Sequence, residues 1–331
     1  MKRATILSLT AASMLFGGLA PSLAGEYSLS YFMGPKHPMN AAVFTPFAEK
    51  LAEVSGGKLT IQQFPGGALN SVPPKQYSIL LDGVADIVFT LPGYTAQLFP
   101  KTNVVTVPTI CPNAVECTES LIRAKAELED EYDAKLLAIW ANAAPVLLTR
   151  DKPVRSMDDL KGLKVRVTSA TDVPFMEALG ASAVSQPVNV INQNLTNGVI
   201  DAIAIGPSAI GSFKLHEPSN YLTVGSFGSG SAFVLLMNKG AWEALSAEEQ
   251  GWVDAASGDW LSRSGGAGFQ AAADRGMAIA ADSGVEIITL PDDEVARLDA
   301  AMAPPLAEFE ASMVGDAQAG DIISLMRGDA M

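Results

Sequence analysis

The sequence predicts an α/β protein built in two lobes. Strand-length and helix-length patterns alternate from Tyr27 onward, the arrangement that covers parallel sheets with helices on both faces. The same rhythm starts again beyond Thr149. Removing a 24-residue leader from the 331-residue chain leaves 307 residues, more than the roughly 250 that a single core serves.

The chain opens with Lys2 and Arg3, an apolar stretch from Ile6 to Leu19 and the small-x-small triplet Ser22-Leu-Ala24. This is the pattern of a secretory signal peptide cut after Ala24, and the stretch is short for a membrane span. No cysteine stands at its end, so no lipid anchor is expected. A first strand follows over Tyr27–Met33, broken by Gly34-Pro-Lys-His-Pro38. A helix over Asn40–Val54 keeps Val43, Phe47, Leu51 and Val54 on one face and stops at Gly56-Gly57. Leu59–Phe64 reads as a strand closed by Pro65-Gly-Gly67, Tyr77–Leu81 as a helix, and Ala85–Phe89 as a short buried strand. A charged helix spans about Val115 to Tyr132. Leu136–Trp140 and Val146–Thr149 are strand-length apolar runs around a turn at Ala141–Pro145, where strands are expected to cross between lobes.

In the second lobe Ser156 caps a short helix, Asp158 and Asp159 occupy its positive first turn, and Gly162 ends it in a left-handed conformation. Leu163–Thr168 then alternates as a strand, with Leu163, Val165 and Val167 on one face and Lys164, Arg166 and Thr168 on the other. Asp172–Leu179 and Asn189–Asn197 are helical, with Ala183–Gln186 extended between them. Val199–Ile205 and Leu222–Ser226 are strands, and Ala232–Met237 is one buried on both sides. Ser246 and Glu249 form a capping box for a helical region that runs toward Asp282, with an expected interruption at Gly265-Gly266. After a last strand over Val285–Leu290, a helix over Asp293–Val314 is expected to break at Pro304-Pro305.

The formal charge of −14 becomes −16 once Lys2 and Arg3 are lost, which argues against nucleic acid and anionic lipid as partners. Cys111 and Cys117 are the only cysteines, and in an exported chain they read as a loop-closing disulfide. His37 and His216 are the only histidines, and no H-E-x-x-H occurs. Gly206-Pro-Ser-Ala-Ile210 lacks the closing glycine of a nucleophile elbow. No catalytic residue, metal set or cofactor is therefore assigned, and an exported hydrolase or lyase is the minor alternative. Arg166 stands near the carboxyl end of its strand, the edge where open α/β sheets bind ligands. Its guanidinium suits bidentate capture of a carboxylate, although spacing alone leaves a surface ion pair equally open.

Several short motifs recur in a set order: Ser55-Gly-Gly-Lys-Leu-Thr-Ile, Phe64-Pro-Gly-Gly-Ala-Leu, Leu81-Asp-Gly-Val-Ala-Asp-Ile and Asp159-Leu-Lys-Gly-Leu-Lys-Val-Arg-Val. Gly180-Ala-Ser, Asn197-Gly-Val-Ile-Asp201 and Met237-Asn-Lys-Gly-Ala-Trp242 with Ala247-Glu-Glu-Gln250 complete them. Over nearly the whole mature chain this resembles the periplasmic substrate-binding subunit of tripartite ATP-independent periplasmic (TRAP) transporters, dicarboxylate-binding type. The resemblance implies a periplasmic, non-enzymatic receptor whose lobes, each a mixed sheet flanked by helices, are joined by crossing strands and a long hinge helix and close on a small organic anion. The first lobe is expected to hold residues 25–148 and about 232–270, the second 149–231 and about 271–331. Implied partners are small and large membrane subunits driven by an ion gradient. A receptor for an ATP-driven importer is the alternative machinery, and monomer is the default state.

In that family the arginine at the position of Arg166 binds the substrate carboxylate. Sialic-acid-binding members place a second arginine where this chain has Val146 and an asparagine where it has Ile205. Their acidic and basic residues after the third strand align with Leu91 and Tyr94, and an asparagine of the first strand aligns with Met33. These replacements imply a drier pocket with one anionic anchor. It suits an apolar or aromatic monocarboxylate, 2-oxo and 2-hydroxy acids included, because each unpartnered hydroxyl of a sugar acid costs about 1 to 3 kcal/mol. Trp140 and Tyr94 are the expected stacking partners, and Asn142 and Thr168 the expected polar contacts. Thr90 and His37 complete the expected site. A small dicarboxylate is the alternative if Lys36 or His37 reaches the ligand's far end.

Overall fold

The computed structural model describes residues 25–329, and the expected leader lies outside that range. The chain lays down β1 (Gly25–Ser30), β2 (Leu59–Phe64), β3 (Ile87–Thr90) and β4 (Ala134–Ala141) in one sheet. It then builds a second sheet from β5 (Val146–Thr149), β6 (Lys164–Val167), β7 (Ser182–Ser185), β8 (Ala202–Ile205) and β9 (Tyr221–Val224). β10 (Ala232–Asn238) returns to the first sheet and β11 (Glu286–Thr289) joins the second.

Strand order is β2-β1-β3-β10-β4 in one sheet and β11-β9-β5-β8-β6-β7 in the other. Both are mixed: β10 runs antiparallel to β3 and β4, and β5 antiparallel to β8 and β9, while β6 is parallel to β7 and β8. Every residue of β3, β5 and β8 is buried, as is β10 from Ala232 to Met237. Helices and loops cover both faces, so these strands read as continuous apolar runs instead of alternating.

Four connections join the lobes, the last of them residues 311–318, which lead to the C-terminal helix. Residues 142–145 lead from β4 to β5, residues 225–231 lead from β9 to β10, and the helix Asp259–Asp282 carries the chain back. This helix packs Leu261, Phe269 and Ala273 into the first lobe's apolar cluster and Ala280, Met277 and Ile279 into the second lobe's. It runs unbroken through Gly265-Gly266, where an interruption was expected. A Cβ on Gly265 would sit 2.6 Å from Trp140 Cγ, and one on Gly266 would collide with Thr118 Oγ1. The two glycines therefore serve close packing against β4 and the helix Ala114–Leu128.

The helix Asp292–Glu310 likewise passes through Pro304 and Pro305 without the expected break. Leu298 and Met302 before the prolines, and Leu306 and Phe309 after them, pack on the same core cluster. Tertiary burial on both sides of the pair overrides the local cost of the missing N–H groups. The first strand ends at Ser30, short of Met33, because the carbonyls of Tyr31 and Met33 accept from Gly67 (3.0 Å) and Gly66 (2.7 Å) in the Pro65-Gly-Gly turn.

Two elements sit elsewhere than the expected division put them. Val146–Thr149 pairs entirely within the second sheet. The helix Ala319–Arg327 returns to the first lobe, where Ile322, Ile323 and Met326 share a cluster with Leu121 and Ala124, and Arg123 Nε donates to the Met326 carbonyl at 3.0 Å. Cys111 and Cys117 are disulfide-bonded, tying the preceding loop to the helix Ala114–Leu128.

Gly265→Ala gains about 1 kcal/mol of helix propensity, but forces a methyl against the Trp140 indole. Because overpacking costs about 1 to 3 kcal/mol, urea denaturation is expected to show a net loss of stability. A more stable variant contradicts the close-packing role.

Candidate functional site

The site is built around Arg166 in β6, flanked by β7 and β8. Its neighbours Val165 and Val167 bury in the core on the opposite face, and the arginine itself is only 1% exposed. Nε and Nη2 donate to the Gln186 carbonyl at 2.9 and 2.6 Å. Nη1 donates to Thr168 Oγ1 at 3.1 Å and to the Ala204 carbonyl at 3.4 Å. Among the described residues the guanidinium forms no salt bridge.

Burial pulls the Arg166 pKa below its ordinary value, and the Tyr94 hydroxyl and the Asp172 carboxyl oppose that pull. Burial in turn raises Tyr94, whose hydroxyl also accepts from the Val188 N–H at 3.1 Å. Asp172 is likewise raised by burial, partly offset by the Ser169 N–H at 2.9 Å. Because the Gln186 carbonyl occupies the Nε–Nη2 edge and Thr168 and Ala204 engage Nη1, the second Nη2 hydrogen is the donor left for an anion, and the long 3.4 Å bond from Nη1 to Ala204 is the one most readily exchanged for it.

That guanidinium lines a cavity between the lobes. The wall combines Phe32, Met33, Phe89 and Leu91 from one lobe with Val188 and Ile205 from the other. Phe89 stacks on Phe233 with ring centroids 5.6 Å apart, and Phe233 lies 4.5 Å from Phe269 of the long helix. Polar groups are few. Asn142 Oδ1 accepts from the Ser231 N–H at 2.7 Å, which leaves its Nδ2 as a donor. His37, Thr168, Ser208 and Ser231 complete the polar lining.

Most of the expected site residues converge here: Met33, His37, Leu91, Tyr94, Asn142, Arg166, Thr168 and Ile205 all line the cavity. Three do not. Trp140 is fully buried one layer behind the wall, 5.8 Å from Phe89 and 6.5 Å from Phe233. Val146 pairs with Ile205 across the sheet and buries in the second lobe's core. Thr90 pairs with Val234, and strand alternation turns it away from the face that Phe89 and Leu91 present. Sequence reasoning missed Phe32, Phe89, Phe213, Phe233 and Phe269. They come from five separate segments, and only the alternation around Phe89 carries a local signal.

His37 sits in the loop after β1, its ring 6.1 Å from Phe213 and 6.2 Å from Phe269. The Met39 N–H donates to its Nδ1 at 3.3 Å. Burial lowers its pKa to about 4, so the imidazole is neutral at pH 7. Lys36 lines an adjoining outer groove instead, together with Arg275 and Ile279. Among the described residues no His/Cys/Asp/Glu group could hold a metal, and no helix is long and apolar enough to cross a membrane. The cavity thus offers one fixed cation, a carboxamide donor and aromatic walls.

Comparison with known proteins places this geometry in context. The family model described as bacterial extracellular solute-binding protein, family 7, matches residues 29–312. A TRAP solute-binding protein from an unidentified marine-metagenome microbe, solved with 3-hydroxybenzoate and specific for aromatic acid ligands, is 27% identical. It superposes with a TM-score of 0.86 over 92% of this chain and 98% of its own. A TRAP solute-binding protein from Rhodoferax ferrireducens T118, with copurified benzoate, is also 27% identical, with a TM-score of 0.83 over 92% and 96%. The C4-dicarboxylate-binding protein DctB of Bacillus subtilis is 28% identical over 67% of this chain and 64% of its own.

The depressed His37 pKa has a consequence for stability. An unfolded histidine takes up its proton near pH 6.5, whereas the folded ring does so only near 4. Between those values the unfolded state binds more protons, so stability falls with acidification. Scanning calorimetry from pH 7 to 4 is expected to show a steeper fall in melting temperature for the wild type than for His37→Leu. Parallel profiles contradict the buried neutral ring.

Proposed function

We propose that this chain, which belongs to the bacterial extracellular solute-binding protein family 7, captures a small aromatic monocarboxylate between its lobes and presents it to the membrane subunits of a TRAP transporter. The family is one of periplasmic TRAP substrate-binding proteins. The observation that carries the ligand class is a single buried guanidinium, without a salt-bridge partner among the described residues, at the edge of an aromatic cavity.

Arg166 takes the carboxylate through its remaining Nη2 hydrogen and, by exchanging the long bond to Ala204, through Nη1, with Asn142 Nδ2 as a further donor. Phe89, Phe233 and Phe269 cover the ring. The two 27%-identical TRAP proteins, with benzoate and 3-hydroxybenzoate, support this reading. A dicarboxylate is less well served: Arg166 is the cavity's lining cation, and His37 stays neutral at pH 7. A sugar acid fares worse, since each hydroxyl against the phenylalanine wall costs about 1 to 3 kcal/mol.

A thermal-shift screen tests this directly, because a ligand at 100 times its dissociation constant adds about 2.7 kcal/mol. Benzoate and related aromatic acids are expected to raise the melting temperature well above succinate or galacturonate. Succinate outperforming them contradicts the reading. Arg166→Ala, measured by titration calorimetry with the best acid, is expected to lose at least about a hundredfold in affinity, or about 3 kcal/mol. Arg166→Lys is expected to lose affinity too, because an ammonium cannot reproduce the planar fork. Near wild-type binding by the alanine variant rules out the clamp.

A further inference from the structure

A carboxylate clamp with aromatic walls leaves His37 of the cavity without a task. His37 is fixed by its own loop: Nδ1 accepts from the Met39 N–H at 3.3 Å. In a neutral imidazole one ring nitrogen accepts and the other donates, so the proton sits on Nε2. No protein acceptor meets that N–H among the described residues, and the ring lines the cavity beside Phe213 and Phe269.

His37 stands at the outer end of the cavity. With Met33, Ser208 and Phe213 it also borders the adjoining groove, which Arg166 does not reach. Ser208, like His37, lines both spaces, and its hydroxyl has no protein partner among the described residues. An acid anchored on Arg166 therefore directs its far end toward a donor and a hydroxyl, set among Met33, Phe213 and Phe269.

We propose that His37 is a specificity-determining residue: its Nε2–H donates to an oxygen substituent on the ring of the bound acid, at the end away from the carboxylate. The ligand class narrows to hydroxylated aromatic monocarboxylates. Ser208 Oγ accepts the proton of the same hydroxyl. This rests on the aromatic-acid reading above and goes beyond it, because a carboxylate clamp with phenylalanine walls does not by itself distinguish a bare ring from a substituted one.

Titration calorimetry on the full mature chain, with benzoate and its 3- and 4-hydroxy derivatives, tests the proposal. Wild type is expected to bind the better hydroxylated acid about tenfold more tightly than benzoate, the typical worth of one buried hydrogen bond. His37→Leu is expected to bring that preference within about twofold. His37→Gln, which restores an N–H near the position of Nε2, is expected to recover most of it. A tenfold preference surviving in His37→Leu overturns the proposal, as does an equal affinity of the wild type for all three acids. Binding of none of them by the wild type overturns the aromatic-acid reading itself, and this inference with it.

Discussion

A guanidinium removed from water is the constraint that shapes the rest of the molecule. Taking a charge from water into a protein costs several kcal/mol unless it is paired or hydrogen-bonded, and Arg166 is paired with no carboxylate among the described residues. The Gln186 and Ala204 carbonyls, the Thr168 hydroxyl and the field of Tyr94 and Asp172 carry that cost in part. What they leave over is an affinity for an anion. The arginine is thus tolerable without ligand and better satisfied with one. That difference in free energy is what a receptor needs if binding is to favour a closed arrangement of its lobes.

The position of the charge follows from the topology. β6 lies inside the second sheet, and its carboxyl end points at the seam where residues 142–145, residues 225–231 and the helix Asp259–Asp282 pass between lobes. Those same segments supply the cavity: Asn142 from the first, Ser231 from the second and Phe269 from the helix. Parts that can move against one another therefore line the cavity directly. Gly265 and Gly266 fix one end of the helix on β4 and the helix Ala114–Leu128, and Gly276 fits its other half against the Pro207 carbonyl. A bend in the helix would change the distance between Phe269 and the second lobe, which couples ligand fit to lobe geometry.

Much of this was legible in the sequence. Periodicity and turn chemistry set out the strands and helices, because β6 and its capped entry at Ser156 obey local rules. Arg166 stood out as a cation near the carboxyl end of its strand, between Val165 and Val167. What local rules could not see was tertiary. Gly265-Gly266 and Pro304-Pro305 are breakers by propensity, yet in the fold they are a packing surface and a tolerated insertion between buried turns. Trp140 resembles a binding-site aromatic in any linear reading, but Phe89 and Phe233 stand between it and the cavity. The aromatic wall itself arises where five distant segments meet, and no window of sequence contains it. His37 could be placed in a loop near the site, but its protonation state and the direction of its free N–H depend on Met39, Phe213 and Phe269 together.

The most direct measurement of the central claim is a crystal structure of the mature protein with a bound aromatic acid. The account predicts a carboxylate oxygen within about 3 Å of Nη1 or Nη2 of Arg166, with the ring against Phe89, Phe233 and Phe269. An acid anchored on any other group, or an Arg166 turned away to form a salt bridge with Asp172, would contradict it.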